Sequence, residues 1–218
     1  MSRHPTSQSP NVQGRPVREV RAAFTDTTIR VYQAYSPELA ANAVRAQTFV
    51  PPFSRSRMTW IKPSFTWMMY RSGWAGKPGQ ERILAVDILR SGFEWALARA
   101  CLSHFDRAVH ATQEEWSAEL KRSPVRVQWD PERRLQLQPL SWRAIQIGLE
   151  GEALGAYVDE WIQSIEDITD LAKSVPRALR EEGAEAAAAL IPNELPYPLS
   201  REIAAHIGCS DWSGNGSS

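Results

Sequence analysis

One stretch, residues 57–74 (RMTWIKPSFTWMMYRSGW), constrains the fold more than any other part of the chain. Residues Met58 to Ile61 predict a short β-strand, and from Ser64 onward the apolar residues follow a helical spacing. Ser64 is a suitable N-cap for that helix, and Gly73 is a suitable residue to end it. A strand that runs directly into a helix start beside Lys62 is an arrangement that favours anion binding. The alternative is a helix buried on both faces, because aromatic-rich helices more often belong to a core than to a site.

The composition permits a sizeable core without a membrane span. The 218 residues are 43% hydrophobic and include nine tryptophans, which is enough for one domain with an aromatic core. No apolar run is long enough to cross a bilayer, the polar N-terminus does not have the pattern of a signal peptide, and two cysteines form no disulfide framework. These features predict a cytoplasmic protein with no membrane partner. Residues 1–16 are predicted to be a disordered leader, 17–208 a single α+β domain, and 209–218 a flexible tail.

The order of predicted elements indicates an α+β fold, a mixed or split β-sheet flanked by helices. Thr28 to Tyr35 alternates as a strand, and Arg82 to Leu89 is apolar on both sides, as an interior strand is. The segment Asp130 to Arg133 (DPER) is predicted to turn the chain between the two strands of a hairpin. The apolar spacing from Leu154 to Ile168 predicts one long amphipathic helix. A further, alanine-rich helix is predicted from about Pro176 to Leu190.

The zero net charge conceals an asymmetry along the chain. Through Arg82 there are twelve Lys and Arg against four Asp and Glu, and the remainder has thirteen against twenty-one. One half can therefore present a positive surface to phosphates or nucleic acid. The alternative is that the basic and acidic halves pair with each other on folding.

Two strand-to-helix junctions define the candidate site. If the two strands are adjacent, the ends of both offer hydroxyls, an amide and a cation around one cleft, which suits a nucleobase or nicotinamide ring flanked by phosphates. The alternative is edge tyrosines and a solvated lysine. The candidate binding residues are Tyr32, Gln33 and Tyr35 at the first junction, Lys62 and Ser64 at the second, and Trp67, Tyr70, Arg71 and Trp74 on the helix that follows.

Other chemistries receive less support from the sequence. The motifs G-x-x-x-x-G-K, G-x-G-x-x-G, G-x-S-x-G and H-E-x-x-H are absent, which argues against the common nucleotide-binding and hydrolase folds. Cys101, His104, Asp106 and His110 are all metal-ligand types, but their irregular spacing predicts no metal site. Glu132 is the best-placed carboxylate for catalysis, and the alternative is a turn residue paired with its neighbour.

Five segments, in order, resemble the family called domain of unknown function 4291. They are VYQAYSPELA, RMTWIKPSFTWMMYRSGW, ILAVDI, VQWDPER and RAIQIGL, and the resemblance covers roughly residues 17–198. At the level of fold, the first part of the chain looks like the front half of ADP-ribosyltransferases. It has a first strand carrying Tyr-Gln, a helix ending in Gln-Thr-Phe, and a strand followed by a Ser-initiated helix.

The likeness to ADP-ribosyltransferases implies an NAD-binding fold. Gln33 would take the place of the first-strand His or Arg that holds NAD, and Ser64 that of the Ser of a second motif. Those enzymes place a Glu at the start of a late strand. In this chain the corresponding strand, RAIQIGL, offers Trp142, Arg143 or Gln146 instead. The nearest glutamate is Glu132.

The likeness therefore implies an ADP-ribosyltransferase-like enzyme with NAD as cofactor and Glu132 and Gln33 as catalytic residues. Nucleic acid is a candidate acceptor. The alternatives are a non-enzymatic module for single-stranded nucleic acid, which predicts steep salt dependence, and a structural domain, which predicts no cleft at the two junctions.

Overall fold

Strands and helices follow one another along residues 15–210, the part of the chain that the computed structural model describes. The predicted leader therefore lies outside the described residues except for Arg15 and Pro16, and the predicted tail except for Cys209 and Ser210. The strands are β1 (Arg21–Ala22), β2 (Thr28–Tyr35), β3 (Thr59–Ile61), β4 (Arg82–Leu89), β5 (Ala100–Leu102), β6 (Val125–Arg133), β7 (Pro139–Leu149), β8 (Ile162–Asp167) and β9 (Leu195–Pro196). The helices are α1 (Pro37–Ala46), α2 (Phe65–Ser72), α3 (Arg90–Ala98), α4 (Gln113–Arg122), α5 (Gly151–Ala156), α6 (Thr169–Glu181), α7 (Ala184–Ala189) and α8 (Arg201–His206), and a π-helical turn (Tyr157–Trp161) follows α5.

Two sheets meet at the candidate site. One has the order β2-β4-β8 and is antiparallel, and the other has the order β3-β7-β6-β5, in which only β5 and β6 run parallel. A bridge between Tyr32 and Lys62 joins β2 to β3, with the Tyr32 amide donating to the Lys62 carbonyl at 2.8 Å. The two sheets thus form one split, mixed arrangement with helices around it, which confirms the predicted α+β class.

Helix α2 begins and ends where the sequence predicts. The Ser64 hydroxyl accepts a hydrogen bond from the Trp67 amide at 3.1 Å, and Gly73 has φ 61°, a left-handed conformation that favours glycine. Phe65, Met68 and Met69 are buried on the face toward the core. Because β3 ends three residues before the cap, the strand delivers the chain directly into the helix.

The predicted DPER turn is wrong. Strand β6 continues through Asp130–Arg133, and its register with β7 shifts between Pro131 and Arg133. A proline in a strand needs such an irregularity because it cannot donate to the ladder. The chain turns instead over residues 134–138, where Leu137 has φ 64°. Glu132 therefore lies within a strand.

The predicted long helix from Leu154 to Ile168 is also wrong. Helix α5 ends at Ala156, the π-helical turn follows, and Ile162–Asp167 is strand β8. This strand pairs with β4, whose second edge would otherwise have unpaired backbone groups, and Ile162 and Ile165 are β-branched residues that suit a strand. Tertiary pairing thus outweighs the helical spacing. The predicted alanine-rich helix is likewise divided in two, because Gly183 has φ 99° between α6 and α7.

Four arginines of the basic first half form ion pairs with aspartates of the acidic second half, so the two halves of the chain partly neutralise each other. Along residues 15–210, no helix combines the length and the apolar character that crossing a bilayer requires. The ion pairs are Arg18–Asp106 at 2.6 Å, Arg30–Asp87 at 2.8 Å, Arg55–Asp159 at 2.6 Å and Arg82–Asp167 at 3.5 Å.

Candidate functional site

A cavity of about 740 Å³ lies where the two sheets meet, between the ends of β2 and β3, helix α2, and strands β6 and β7. Six of the residues predicted from the sequence line it: Gln33, Tyr35, Lys62, Trp67, Tyr70 and Arg71. The two strand-to-helix junctions are therefore adjacent, as the cleft hypothesis requires.

Four predicted residues do not line this cavity. Tyr32 is fully buried and packs edge-on against Phe65, and Ser64 caps α2. Trp74 packs against Phe65 from the other end of the helix. Glu132 is 8% exposed and accepts hydrogen bonds from the Thr66 hydroxyl at 3.0 Å and the Arg133 amide at 2.8 Å. These residues hold the wall of the cavity and do not face its space.

Gln33 is held by a complete hydrogen-bond network. Its Nε2 donates to the Tyr35 hydroxyl at 2.8 Å and to Thr59 Oγ1 at 2.7 Å, and its Oε1 accepts from the Tyr157 hydroxyl at 2.6 Å. Both amide protons are therefore used within the protein. Since these partners lie on β2, β3 and the π-helical turn, Gln33 ties three elements together and has no donor left for a ligand.

Lys62 is a buried amine in the cavity wall. Its Nζ donates to the Trp60 carbonyl at 3.1 Å, and the residue is 7% exposed. Burial lowers the pKa of Lys62 to about 7, the positive charge of Arg71 acts in the same direction, and the Asp130 carboxylate acts in the opposite direction. An anion that enters the cavity would favour the charged form of this amine.

Three arginines join Lys62 around the cavity: Arg57, Arg71 and Arg133. Unlike the arginines paired across the fold, none of the three forms an ion pair with a carboxylate among residues 15–210. The Arg133 guanidinium lies 3.7 Å from the centroid of the Tyr70 ring, and Tyr70 in turn stacks on Trp67 at 5.1 Å. This stack fixes a flat cation at the cavity wall.

Asp130 is the carboxylate that lines the cavity among the described residues. It accepts hydrogen bonds from Gln128 Nε2 at 2.9 Å and from Gln146 Nε2 at 2.6 Å. Two amides on β6 and β7 therefore orient a negative group opposite the cations. Sequence reasoning favours Glu132 instead because it predicts a turn at DPER. The alternation of Gln128 and Asp130 along the strand was the signal that places these two side chains on the same face.

A second carboxylate, Glu194, lies at the start of α2 and was missed by sequence reasoning. It accepts a hydrogen bond from the Phe65 amide at 2.6 Å. Burial raises the pKa of Glu194 to about 8, the bond from Phe65 opposes that rise, and the nearby Glu132 adds to it. The Tyr32 hydroxyl close by has no hydrogen-bond partner among the described residues. No local pattern around Glu194 indicates this burial, because it depends on the return of the chain past α2.

The candidate metal ligands separate into two groups. His104 is exposed, and Asp106 pairs with Arg18. Cys101 and His110 instead come together with Glu119 of α4, and their ligand atoms lie within 4.8 Å of one another. This cluster does not line the 740 Å³ cavity.

The chain belongs to the family described as domain of unknown function (DUF4291), whose model matches residues 19–197. The match covers the elements from the strand β1 to the residue after β9, including every residue that lines the cavity. The resemblance stated from the sequence motifs is thereby confirmed. No curated protein matches the chain.

Proposed function

We propose that this chain binds a compound that contains a nucleoside diphosphate, such as NAD or another ADP-containing compound, in the cavity between the two sheets. The observation that carries the proposal is the convergence of Lys62, Arg57, Arg71 and Arg133 on one cavity, while several arginines elsewhere in the first half pair with carboxylates. Unpaired cations around a concave space suit a ligand with phosphate groups.

The size and shape of the cavity agree with a ligand of this class. Cofactor sites commonly span about 300–1,000 Å³, and the cavity of about 740 Å³ falls within that range. The Arg133 guanidinium, 3.7 Å from the centroid of the Tyr70 ring, offers a planar surface on which a nucleobase or nicotinamide ring can stack. Lys62 gains its proton most readily beside an anion, so a phosphate and this amine stabilise each other.

The likeness to ADP-ribosyltransferases extends the proposal to transfer of ADP-ribose from NAD. In that reaction the bond from the ribose C1′ to the nicotinamide nitrogen breaks, and nicotinamide leaves with the electron pair. The positive charge that develops on the ribose needs a nearby carboxylate. The acceptor then bonds to C1′ and releases its proton to solvent. Asp130 faces the cavity and is the residue we assign to this role, in place of Glu132.

Binding can be tested with two matched arginine variants. Arg71→Gln removes a cation from the cavity wall, whereas Arg55→Gln removes one from the exposed pair with Asp159. A charge-assisted hydrogen bond contributes about 1.5–3 kcal/mol, so Arg71→Gln should weaken binding of NAD or ADP-ribose by about 10- to 150-fold in calorimetric titration. Arg55→Gln should bind like the wild type. Equal affinity in wild type and Arg71→Gln would overturn the assignment of the cavity.

The transfer step has its own test. Asp130→Asn keeps the shape of the side chain and removes the charge, so nicotinamide release from NAD should fall while NAD affinity changes little. Glu132→Gln is the control, since this residue does not line the cavity. Loss of nicotinamide release in Glu132→Gln alone would show that the carboxylates have been assigned in the wrong order.

The ion pairs across the fold weaken the case for a module that binds single-stranded nucleic acid, because they use four of the arginines that such a surface would need. Titration with single-stranded DNA at two salt concentrations distinguishes the two proposals. Binding that falls steeply with salt and persists in Arg71→Gln would favour the nucleic-acid module.

A further inference from the structure

A cluster of three ligand-type side chains lies at the edge of the four-stranded sheet. Cys101 is in the edge strand β5, His110 is in the segment before α4, and Glu119 is on α4. The distance from Cys101 Sγ to His110 Nε2 is 3.8 Å, and that from His110 Nε2 to Glu119 Oε2 is 3.6 Å. All three ligand atoms lie within 4.8 Å of one another.

Hydrogen bonds within the protein account for part of this arrangement. The Cys101 thiol can donate to the Leu102 carbonyl at 3.6 Å or to the Trp116 carbonyl at 3.9 Å, and the Glu119 carboxylate faces His110 Nε2. The other ring nitrogen of His110, Nδ1, is buried without a hydrogen-bond partner among residues 15–210. A sulfur, an imidazole nitrogen and a carboxylate oxygen that converge on one space are also the ligand set that a zinc ion takes.

Two of the three distances in the cluster agree with those around a tetrahedral metal ion. Zinc binds sulfur at about 2.3 Å and imidazole nitrogen or carboxylate oxygen at about 2.0–2.2 Å, which sets neighbouring ligand atoms about 3.3–3.6 Å apart. The two distances in the cluster, 3.8 and 3.6 Å, exceed this range by a few tenths of an ångström at most. Thiolate and imidazole together select zinc over magnesium or calcium.

We propose that Cys101, His110 and Glu119 bind a zinc ion, with water in the fourth position. The Glu119 side chain is 38% exposed, which leaves that position open to solvent. This site is independent of the nucleotide cavity and departs from the sequence-based expectation of no metal.

The zinc ion would fasten α4 to the edge of the sheet. Helix α4 has no buried residue, so apolar contacts hold this helix only weakly against the buried strand β5. The Trp116 indole donates to the Leu102 carbonyl at 2.8 Å, which is one of the few polar links between the two elements. Metal binding between β5 and α4 therefore stabilises the folded state.

Two cysteine variants and two histidine variants test the site. Cys101→Ser and His110→Ala remove ligands, whereas Cys209→Ser and His104→Ala change the same residue types outside the cluster. In metal analysis after dialysis against zinc, the wild type and both controls should retain one equivalent, and the two ligand variants should lose it. Retention of zinc in Cys101→Ser would overturn the proposal.

A measurement on the wild type alone avoids dependence on variants that fail to fold. Titration with Co²⁺ should produce a thiolate-to-cobalt charge-transfer band that saturates at one equivalent and disappears on addition of zinc. Addition of zinc should also raise the thermal midpoint of the protein. If Co²⁺ gives no such band, or if zinc leaves the midpoint unchanged, the three side chains do not form a metal site.

Discussion

Replacing Lys62 with methionine should stabilise the protein at pH 7, and this stabilisation should shrink as pH rises. Burial lowers the pKa of this amine from 10.5 to about 7. Between these values the unfolded chain binds more protons than the folded one, so wild-type stability is lowest below pH 7 and rises toward pH 10.5. A methionine side chain at this position has a similar length and carries no charge to bury.

The magnitude follows from the two pKa values. Relative to its value at high pH, the wild-type free energy of unfolding is lower by about 4 kcal/mol at pH 7 and by about 2 kcal/mol at pH 9. Lys62→Met also leaves the Trp60 carbonyl without its partner, a loss of about 1–3 kcal/mol that does not depend on pH. The free energy of unfolding of Lys62→Met minus that of the wild type should therefore fall by about 2 kcal/mol from pH 7 to pH 9.

Urea unfolding followed by tryptophan fluorescence measures this difference at both pH values. Lys173→Met is the control because Lys173 is exposed on α6 and does not line the cavity. Between pH 7 and pH 9, the free energy of unfolding of this control should change by the same amount as that of the wild type. Parallel curves for Lys62→Met as well would refute the reasoning, since they would show that Lys62 keeps its charge without penalty in the folded state.

Three further substitutions test other parts of the structure. Burial raises the pKa of Glu194 from 4.5 to about 8, so wild-type stability should fall as pH rises from 4.5 through 8, and Glu194→Gln should remove that fall in thermal unfolding. Gln33→Ala leaves the buried Tyr157 hydroxyl without its acceptor, while Tyr35 and Thr59 can still bond to each other at 3.1 Å, and should lower the free energy of unfolding by about 1–3 kcal/mol in urea titrations, with a smaller effect on nucleotide affinity. Gly92→Ala should destabilise the fold by about 1–3 kcal/mol, because the added Cβ would lie 2.6 Å from Cδ1 of Trp161 and closer still to its Cγ.

Each of these substitutions has an outcome that would contradict it. A pH profile of Glu194→Gln that matches the wild type would show that the carboxyl is not buried. A Gln33→Ala protein that unfolds normally but no longer binds nucleotide would return Gln33 to the role of a ligand-binding residue. For Gly92, the control is Gly155→Ala in α5, where nothing lies within 4 Å of the added Cβ. Equal stability of the two glycine variants would contradict the close contact with Trp161.

Local signals in the sequence were sufficient to predict the elements around the two strand-to-helix junctions. The N-cap Ser64 and the closing Gly73 define α2 within a few residues, because caps and left-handed glycines act through neighbouring backbone groups. Strand β2 likewise matches its alternating pattern from Thr28 to Tyr35. Six of the residues predicted on these elements consequently line the cavity.

Features that depend on distant partners could not be predicted in this way. The residues of β8 have a helical spacing, and only the open edge of β4 makes them a strand. The turn composition of DPER predicts a turn at Asp130, although the partner strand β7 extends the ladder past it. Predicting the cluster of Cys101, His110 and Glu119 would have required the position of α4 against β5, and the spacing of residues along the chain does not give this position.

The most direct test of the central claim is a crystal structure of the protein with ADP-ribose bound. The diphosphate should lie in the cavity between the two sheets, with phosphate oxygens within hydrogen-bond distance of Lys62 Nζ and the Arg71 guanidinium. The Gln33 network with Tyr35 and Thr59 should remain unchanged. Density for the ligand at any other surface, with this cavity filled by water alone, would contradict the account.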